Sequence, residues 1–174
     1  RIMERSARRL QRLIDQLLDL ARIEAGRLKL QARPVDLVRF VGRVISNYES
    51  HAKLRRICLS FTAGPEHVEV YLDPEKFENV IYNLLSNAFK YTPAGGEVRV
   101  SVSLEADELR TEGNPAEARH VEITVTDTGI GIPAESLERI FTRFYHVEDA
   151  TARELGGSGI GLALAKELID LHRG

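Results

Sequence analysis

The chain is poor in the residues that build disulfide frameworks, membrane spans and aromatic cores. It has one cysteine, Cys58, one methionine and no tryptophan in 174 residues, and aromatic side chains make up only 6%. A lone cysteine excludes an internal disulfide and a cysteine-based metal site, and it fits a reducing compartment. No apolar run reaches the roughly 18 residues of a membrane-spanning helix, and no signal-peptide pattern opens the chain. Net charge is −2, so neither an acidic nor a basic partner is implied globally. What is present is a hydrophobic content of 43%, enough to bury a core and to exclude disorder by composition. The sequence opens inside one helical pattern and stops inside another, at Leu171-His172-Arg173-Gly174, so we expect it to be part of something longer.

From Arg1 to about Arg27 the pattern is one amphipathic helix, free of glycine and proline until Gly26. Met3, Leu10 and Leu17 recur every seven residues, and Ser6, Leu13 and Leu20 form a second series three positions on. That is the seam of a coiled coil, widened by Ile14, Leu18 and Ala21. A seam this long needs a partner helix, and nothing downstream supplies an equal. We therefore expect a bundle whose other helices lie outside this chain; the plainer alternative is a helix docked on the domain. Arg1, Arg5, Arg8, Arg9 and Arg12 are interrupted by Glu4 and carry no interleaved aromatic, so they read as a solvated face and not as a nucleic-acid site.

After Gly26 the elements alternate. Leu28–Ala32 is strand-like, a helix is expected from Asp36 to Leu54, and strands near Ile57–Thr62 and Val68–Leu72. Asp73-Pro74-Glu75 opens the next helix, with Asp73 as N-cap and Pro74 in the first turn, where its missing N–H costs nothing. That helix should run to Tyr91. Val98, Val100 and Val102 alternate as a strand, as do Val121, Ile123 and Val125. The polar Glu105–Ala118 stretch between them reads as an exposed loop, and a last helix begins near Gly159. Helices on a mixed, mainly antiparallel sheet describe an α+β sandwich.

Three constellations point to a nucleotide. On the Asp73–Tyr91 helix, Phe77, Ile81, Leu84, Leu85 and Ala88 form the apolar stripe, while Asn83, Asn87, Lys90 and Tyr91 share another face. An amide oxygen there suits Mg²⁺ and a lysine meets phosphate charge; the alternative is an exposed polar face. In Thr126-Asp127-Thr128-Gly129-Ile130-Gly131-Ile132, strand parity aims Asp127 toward the apolar layer. A buried carboxylate is costly unless a donor such as the adenine amine satisfies it. The alternative is that Asp127 caps the turn through local N–H groups. Finally, Gly156-Gly157-Ser158-Gly159-Ile160-Gly161-Leu162 runs into an apolar-periodic helix, which makes an anion site of the helix N-terminus or else a flexible hinge. It is neither a Walker motif nor a dinucleotide fingerprint.

In this order the motifs resemble those of the sensor histidine kinases, within the Bergerat-type ATP-binding fold shared with gyrase, mismatch-repair ATPases and heat-shock chaperones. Asn83–Pro93 is similar to the asparagine box, Asp127–Ile132 to the first glycine box, Ile140–Tyr145 to the phenylalanine box and Gly157–Leu162 to the second glycine box. Leu17–Gly26 resembles the second helix of the dimerisation and phosphoacceptor bundle, which divides the chain into bundle helix, residues 1–27, and ATP-binding domain, residues 28–174.

The resemblance implies that Asn87 coordinates the Mg²⁺ bridging the ATP phosphates, that Lys90 neutralises phosphate charge and that Tyr91 packs near adenine or ribose. It implies further that Asp127 accepts the adenine amine in a pocket shaped by Gly129, Gly131 and Ile132. Residues from Phe141 to Gly157 become a lid, with Gly157, Ser158, Gly159, Ile160, Gly161 and Leu162 on its phosphate side. Asn83 stands where ATPases of the fold carry a water-activating glutamate; an amide is no general base at neutral pH, so transfer to a protein nucleophile is expected. The implied partners are an acceptor histidine on a dimerisation domain, a response regulator and a second subunit in the full-length protein, with no nucleic acid. The implied location is the cytoplasm, in a receptor whose upstream part is free to be membrane-anchored.

Three departures matter. None of His51, His67, His120, His146 and His172 has the family's acceptor context, so the chain should bind ATP without phosphorylating itself. His146 replaces a transfer-assisting arginine, leaving Arg143 as the nearby cation. The family's closing strand hairpin is lacking after the last helix. Two other functions stay open: a degenerate nucleotide-binding or dimerisation scaffold, and a water-dependent ATPase of the same fold.

Overall fold

The computed structural model of the chain describes residues 2–106, 119–147 and 157–174. Contacts divide it into two units, one made of Arg1–Arg33, Leu72–Leu84 and Gly131–Gly174, the other of Pro34–Tyr71 and Leu85–Ile130.

In the first unit, helix α1 spans Ile2–Glu24. It stops at Gly26, whose φ of 61° is the left-handed conformation that suits glycine. The Gly26 N–H bonds to the Ile23 carbonyl at 2.9 Å and the Arg27 N–H to the Arg22 carbonyl at 2.8 Å, closing the helix end. Helix α5, Gly161–Leu171, packs on α1. Leu20, Val80, Ile160, Leu164, Ala165 and Leu168 form the core of this unit, flanked by Ile23, Leu84 and Ile169. The α1 seam is only partly used there. Leu20 is buried, whereas Leu10, Ile14, Leu17 and Leu18 are exposed.

In the second unit, β2 (Cys58–Ala63), β4 (Glu97–Ala106) and β5 (Arg119–Asp127) form a sheet in the order β2-β4-β5. The β2–β4 pair is parallel and the β4–β5 pair antiparallel, so the sheet is mixed. Val98, Val100 and Val102, alternating on the central strand, are fully buried. Helices α2 (Leu37–Ser46) and α3 (Glu49–Arg55) pack on β2. A separate two-stranded sheet pairs β1 (Arg33–Asp36) with β3 (Glu69–Leu72). Helix α4, Pro74–Tyr91, contributes residues up to Leu84 to the first unit and from Leu85 to the second. Asp73 caps it as expected, its Oδ1 accepting from the N–H groups of Glu75 and Lys76 at 3.1 and 3.2 Å. Helices and a mixed sheet are thus the architecture that the sequence pattern suggested.

Two local expectations are corrected. Leu28–Ala32 is not a strand: the Gln31 N–H is taken by Asp73 Oδ2 at 2.8 Å, and pairing starts only at Arg33. The helix expected from Asp36 to Leu54 is broken between Ser46 and Glu49, where Tyr48 turns inward and stacks on Phe89 with ring centroids 5.4 Å apart. Leu54, counted in that helix, lies 83% exposed. The Glu105–Ala118 loop falls, beyond the β4 end, outside the described residues, as does most of the expected lid.

Leu168 is completely buried, so Leu168→Ala should cost about 2–5 kcal/mol through lost burial and a residual cavity. Leu171→Ala, at a side chain 37% exposed, should cost well under half of that. Urea denaturation of both variants checks the difference.

Candidate functional site

Helical periodicity places Asn83, Asn87, Lys90 and Tyr91 along α4, and their environments differ. Asn83 is 6% exposed, its Oδ1 accepting from Gln16 Nε2 at 3.0 Å while its Nδ2 is buried without a hydrogen-bond partner. A buried amide left half-satisfied costs stability. Gly161 lies against it: a Cβ there would approach Asn83 Oδ1 to 3.0 Å. Asn87 is half-buried. Lys90 Nζ donates to the Tyr91 hydroxyl at 2.6 Å and lies 4.2 Å from the ring centroid, so Tyr91 holds the lysine head.

In the second unit the first glycine motif folds back on the end of α4. A side chain at Gly129 would meet the Tyr91 carbonyl oxygen at 2.7 Å and Asp127 Oδ1 at 2.6 Å, so only glycine fits. The Gly129 N–H donates to Asp127 Oδ1 at 2.8 Å. Asp127 is exposed at the end of β5, where the turn begins, whereas Val121, Ile123 and Val125 are half-buried. The turn-capping alternative accounts for its local bond, and the argument from a buried, unpaired carboxylate does not apply. Sequence reading missed Gly96, where a Cβ would sit 2.5 Å from Thr92 Cγ2 and 2.8 Å from Thr128 Oγ1. Thr128 in turn accepts from the Glu97 N–H at 2.9 Å, tying the turn to β4. The Gly95-Gly96 pair was the available signal.

In the first unit the phenylalanine and second glycine motifs touch through the backbone. The Phe144 N–H donates to the Gly159 carbonyl at 2.9 Å, and both residues have positive φ, 61° and 66°. A Cβ on Gly159 would stand 2.7 Å from Phe144 Cα. Ser158 Oγ accepts from the Ile160 N–H at 3.3 Å, and Ile160 is buried in the unit's core, anchoring the glycine run. Gly157 is exposed, Ser158 and Leu162 are partly buried, and Gly161 opens α5. Gly131, with φ of 73°, Ile132 and His146 are exposed. Arg143 donates from Nη1 to Glu24 Oε1, and its Nη2 lies 3.5 Å from Glu167 Oε1. The Glu24 bond above all, then the charges of Glu24 and Glu167, hold the guanidinium above its ordinary pKa.

Residues 72–174 match the model of the histidine kinase-, DNA gyrase B- and HSP90-like ATPases. Over 173 residues the chain is 38% identical to the hybrid signal transduction histidine kinase D of Dictyostelium discoideum, covering 99% of this chain and 11% of that protein. Full-length ShkA solved with AMPPNP has a similar fold, with a TM-score of 0.72 at 23% identity, over 95% of this chain and 32% of that one. The histidine kinase ThkA, solved in complex with the response regulator protein TrrA, superposes with a TM-score of 0.67 at 19% identity, over 97% and 43%. The chain spans between 11% and 16% of the length of three curated relatives that it matches. The chain belongs to this ATPase family, and its similarity to named histidine kinases agrees with the resemblance read from its motifs.

Gly131 and Gly159 both have positive φ, but only Gly159 lacks space for a side chain. Gly131→Ala should therefore cost only the left-handed strain, about 1–2 kcal/mol. Gly159→Ala should cost more and disturb the Phe144 backbone bond. Thermal denaturation of the two variants, with amide exchange read at Phe144, checks this order.

Proposed function

We propose that the chain binds Mg²⁺-ATP and delivers its γ-phosphoryl group to a histidine of a separate helical bundle domain, as the kinase module of a two-component pathway. Family membership supports ATP use. The observation that carries the nucleotide reading is Asp127: an exposed carboxylate held in place by the Gly129 N–H, in a turn that only glycine can fill. A fixed acceptor of this kind suits the exocyclic amine of adenine. Lys90 meets the phosphates once it leaves the Tyr91 hydroxyl, and the free Nδ2 of Asn83 offers a donor to an oxygen anion. The Asn87 amide oxygen is a hard donor, and Mg²⁺ held there would supply charge neutralisation for the phosphates. Among the described residues no cluster of three histidine, cysteine or acidic side chains could hold a metal ion.

In the transfer step the bond from the γ-phosphorus to the β–γ bridging oxygen breaks, the histidine nitrogen bonds to phosphorus, and ADP leaves. Such a reaction demands positioning and charge stabilisation more than a catalytic base. Asn83 supplies no base, which favours a histidine over water as acceptor. Arg143 is the cation of the phenylalanine motif and His146 its exposed neighbour. The helix of residues 1–27 would be the end of the bundle and residues 28–174 the ATP-binding domain. The acceptor histidine, a response regulator and a second subunit would be its partners. A cytoplasmic location is part of this reading; separately, among the described residues no helix is long and apolar enough to cross a membrane.

Calorimetric titration with a non-hydrolysable ATP analogue and Mg²⁺ tests this. Saturable binding should require Mg²⁺, and Asp127→Ala should weaken it roughly 10- to 150-fold, the worth of a hydrogen bond to a charged group. A folded chain that does not bind, or binds equally well without the carboxylate, would overturn the reading.

A further inference from the structure

Within the first unit, α5 and the part of α4 up to Leu84 run antiparallel and meet at both ends. Gly161, the first residue of α5, lies against Asn83: a Cβ there would come within 3.0 Å of Asn83 Oδ1. At the other end His172, the C-cap of α5, accepts the N–H of Asp73 on Nε2 at 3.0 Å, one residue before α4 begins. The two contacts stand roughly 15 Å apart along either helix, at a rise of about 1.5 Å per residue. Between them Val80, Leu164 and Leu168 share one apolar core. Apolar burial is non-directional, so it holds the helices together without fixing how far one slides along the other. A hydrogen bond at the helix end does fix it.

The two ring nitrogens of His172 have opposite tasks. A backbone N–H can only donate, so Nε2, facing Asp73, carries no proton. A carbonyl oxygen can only accept, so Nδ1, 2.7 Å from that of Leu168, carries it. The partners thus select the Nδ1–H tautomer. The Phe77 ring steadies the imidazole edge to face, with centroids 5.7 Å apart. Asp73 is held as firmly. It is buried, its Oδ1 accepting from the N–H groups of Glu75 and Lys76 and its Oδ2 from that of Gln31. His172 therefore grips a point that is itself built into the start of α4.

Resting on the kinase reading above, we infer that His172 is a positioning residue for the proposed site: as its Nδ1–H tautomer it sets the register of α5 on α4, and with it the placement of Gly161 against Asn83. It acts at a distance, through the length of α5. No side chain caps the first turn of that helix, so its backbone N–H groups and the buried, unpartnered Asn83 Nδ2 are brought together as donors. A slip of one residue carries that turn about 1.5 Å past Asn83. Misplacement by about 1 Å is enough to cost a reacting site on the order of 100-fold.

His172→Gln and His172→Asn, each in the full 174-residue chain, separate the tasks of the two nitrogens. Glutamine places its amide oxygen where Nε2 stands and keeps an acceptor for the Asp73 N–H; asparagine is shorter and reaches only as far as Nδ1. His172→Gln should bind Mg²⁺ with an imido analogue of ATP within about twofold of the unsubstituted chain, and His172→Asn about five- to tenfold more weakly, the worth of one hydrogen bond. Amide shifts of residues 157–162 in the unliganded protein should move in His172→Asn and return in His172→Gln. The imidazole ¹⁵N spectrum of the unsubstituted chain, which needs no variant to fold, should show Nδ1 protonated and Nε2 bare. The opposite tautomer, undiminished affinity in His172→Asn, or equal losses in both variants would overturn the positioning role while nucleotide binding stands. An unsubstituted chain that bound no adenine nucleotide would bring down the kinase reading, and the positioning role with it.

Discussion

Helix α4 is the constraint on which the rest of the structure depends. It supplies Val80 to the core of the first unit, and its Leu85, Ala88 and Phe89 are buried in the second. The same residues fix the rotation of the helix, so the angular positions of Asn83, Asn87, Lys90 and Tyr91 follow from burial and not from any interaction among themselves. Its start is set just as firmly. Asp73 caps the first turn, and its backbone N–H donates to His172 Nε2 at 3.0 Å, while its Oδ2 receives the Gln31 N–H. His172 Nδ1 in turn lies 2.7 Å from the Leu168 carbonyl, so the far end of α5 is tied to the beginning of α4.

Three polar side chains named in the proposed function are each held by a neighbour. Lys90 leans on the Tyr91 ring and hydroxyl, Asn83 gives its oxygen to Gln16, and Arg143 is neutralised by glutamates. The Arg143 pairs are partly exposed, and surface ion pairs of this kind contribute little. None closes the turn at Asp127, where the fit of Gly129 against the Tyr91 carbonyl is set by the backbone itself. The division is between a rigid frame, made of glycine turns and buried helix faces, and movable side chains that carry charge.

How much of this could be read from the chain follows the same division. The α4 stripe, the Asp73 cap, the alternating valines of β4 and the glycine turns were legible because each rests on local periodicity or local sterics. The break at Tyr48 was not, because it depends on a ring stacking against Phe89, which is remote in sequence. Nor was the exposure of Asp127, since strand alternation says nothing about a residue where the strand ends. Gln16 and Glu24 were invisible as partners of Asn83 and Arg143: on a bare heptad pattern they are solvated positions, and only docking of α1 gives them neighbours 67 and 119 residues away. The ordered motifs identified the family without any of those contacts.

The central claim is that the chain binds a nucleotide through the Asp127 turn and the end of α4 beside it. Amide chemical shifts of the isotopically labelled chain, followed during titration with Mg²⁺ and a non-hydrolysable ATP analogue, test it most directly. The account predicts saturable shifts concentrated in residues 87–91 and 127–130. Saturable binding that leaves both segments unmoved, with the shifts gathered elsewhere in the chain, would contradict it.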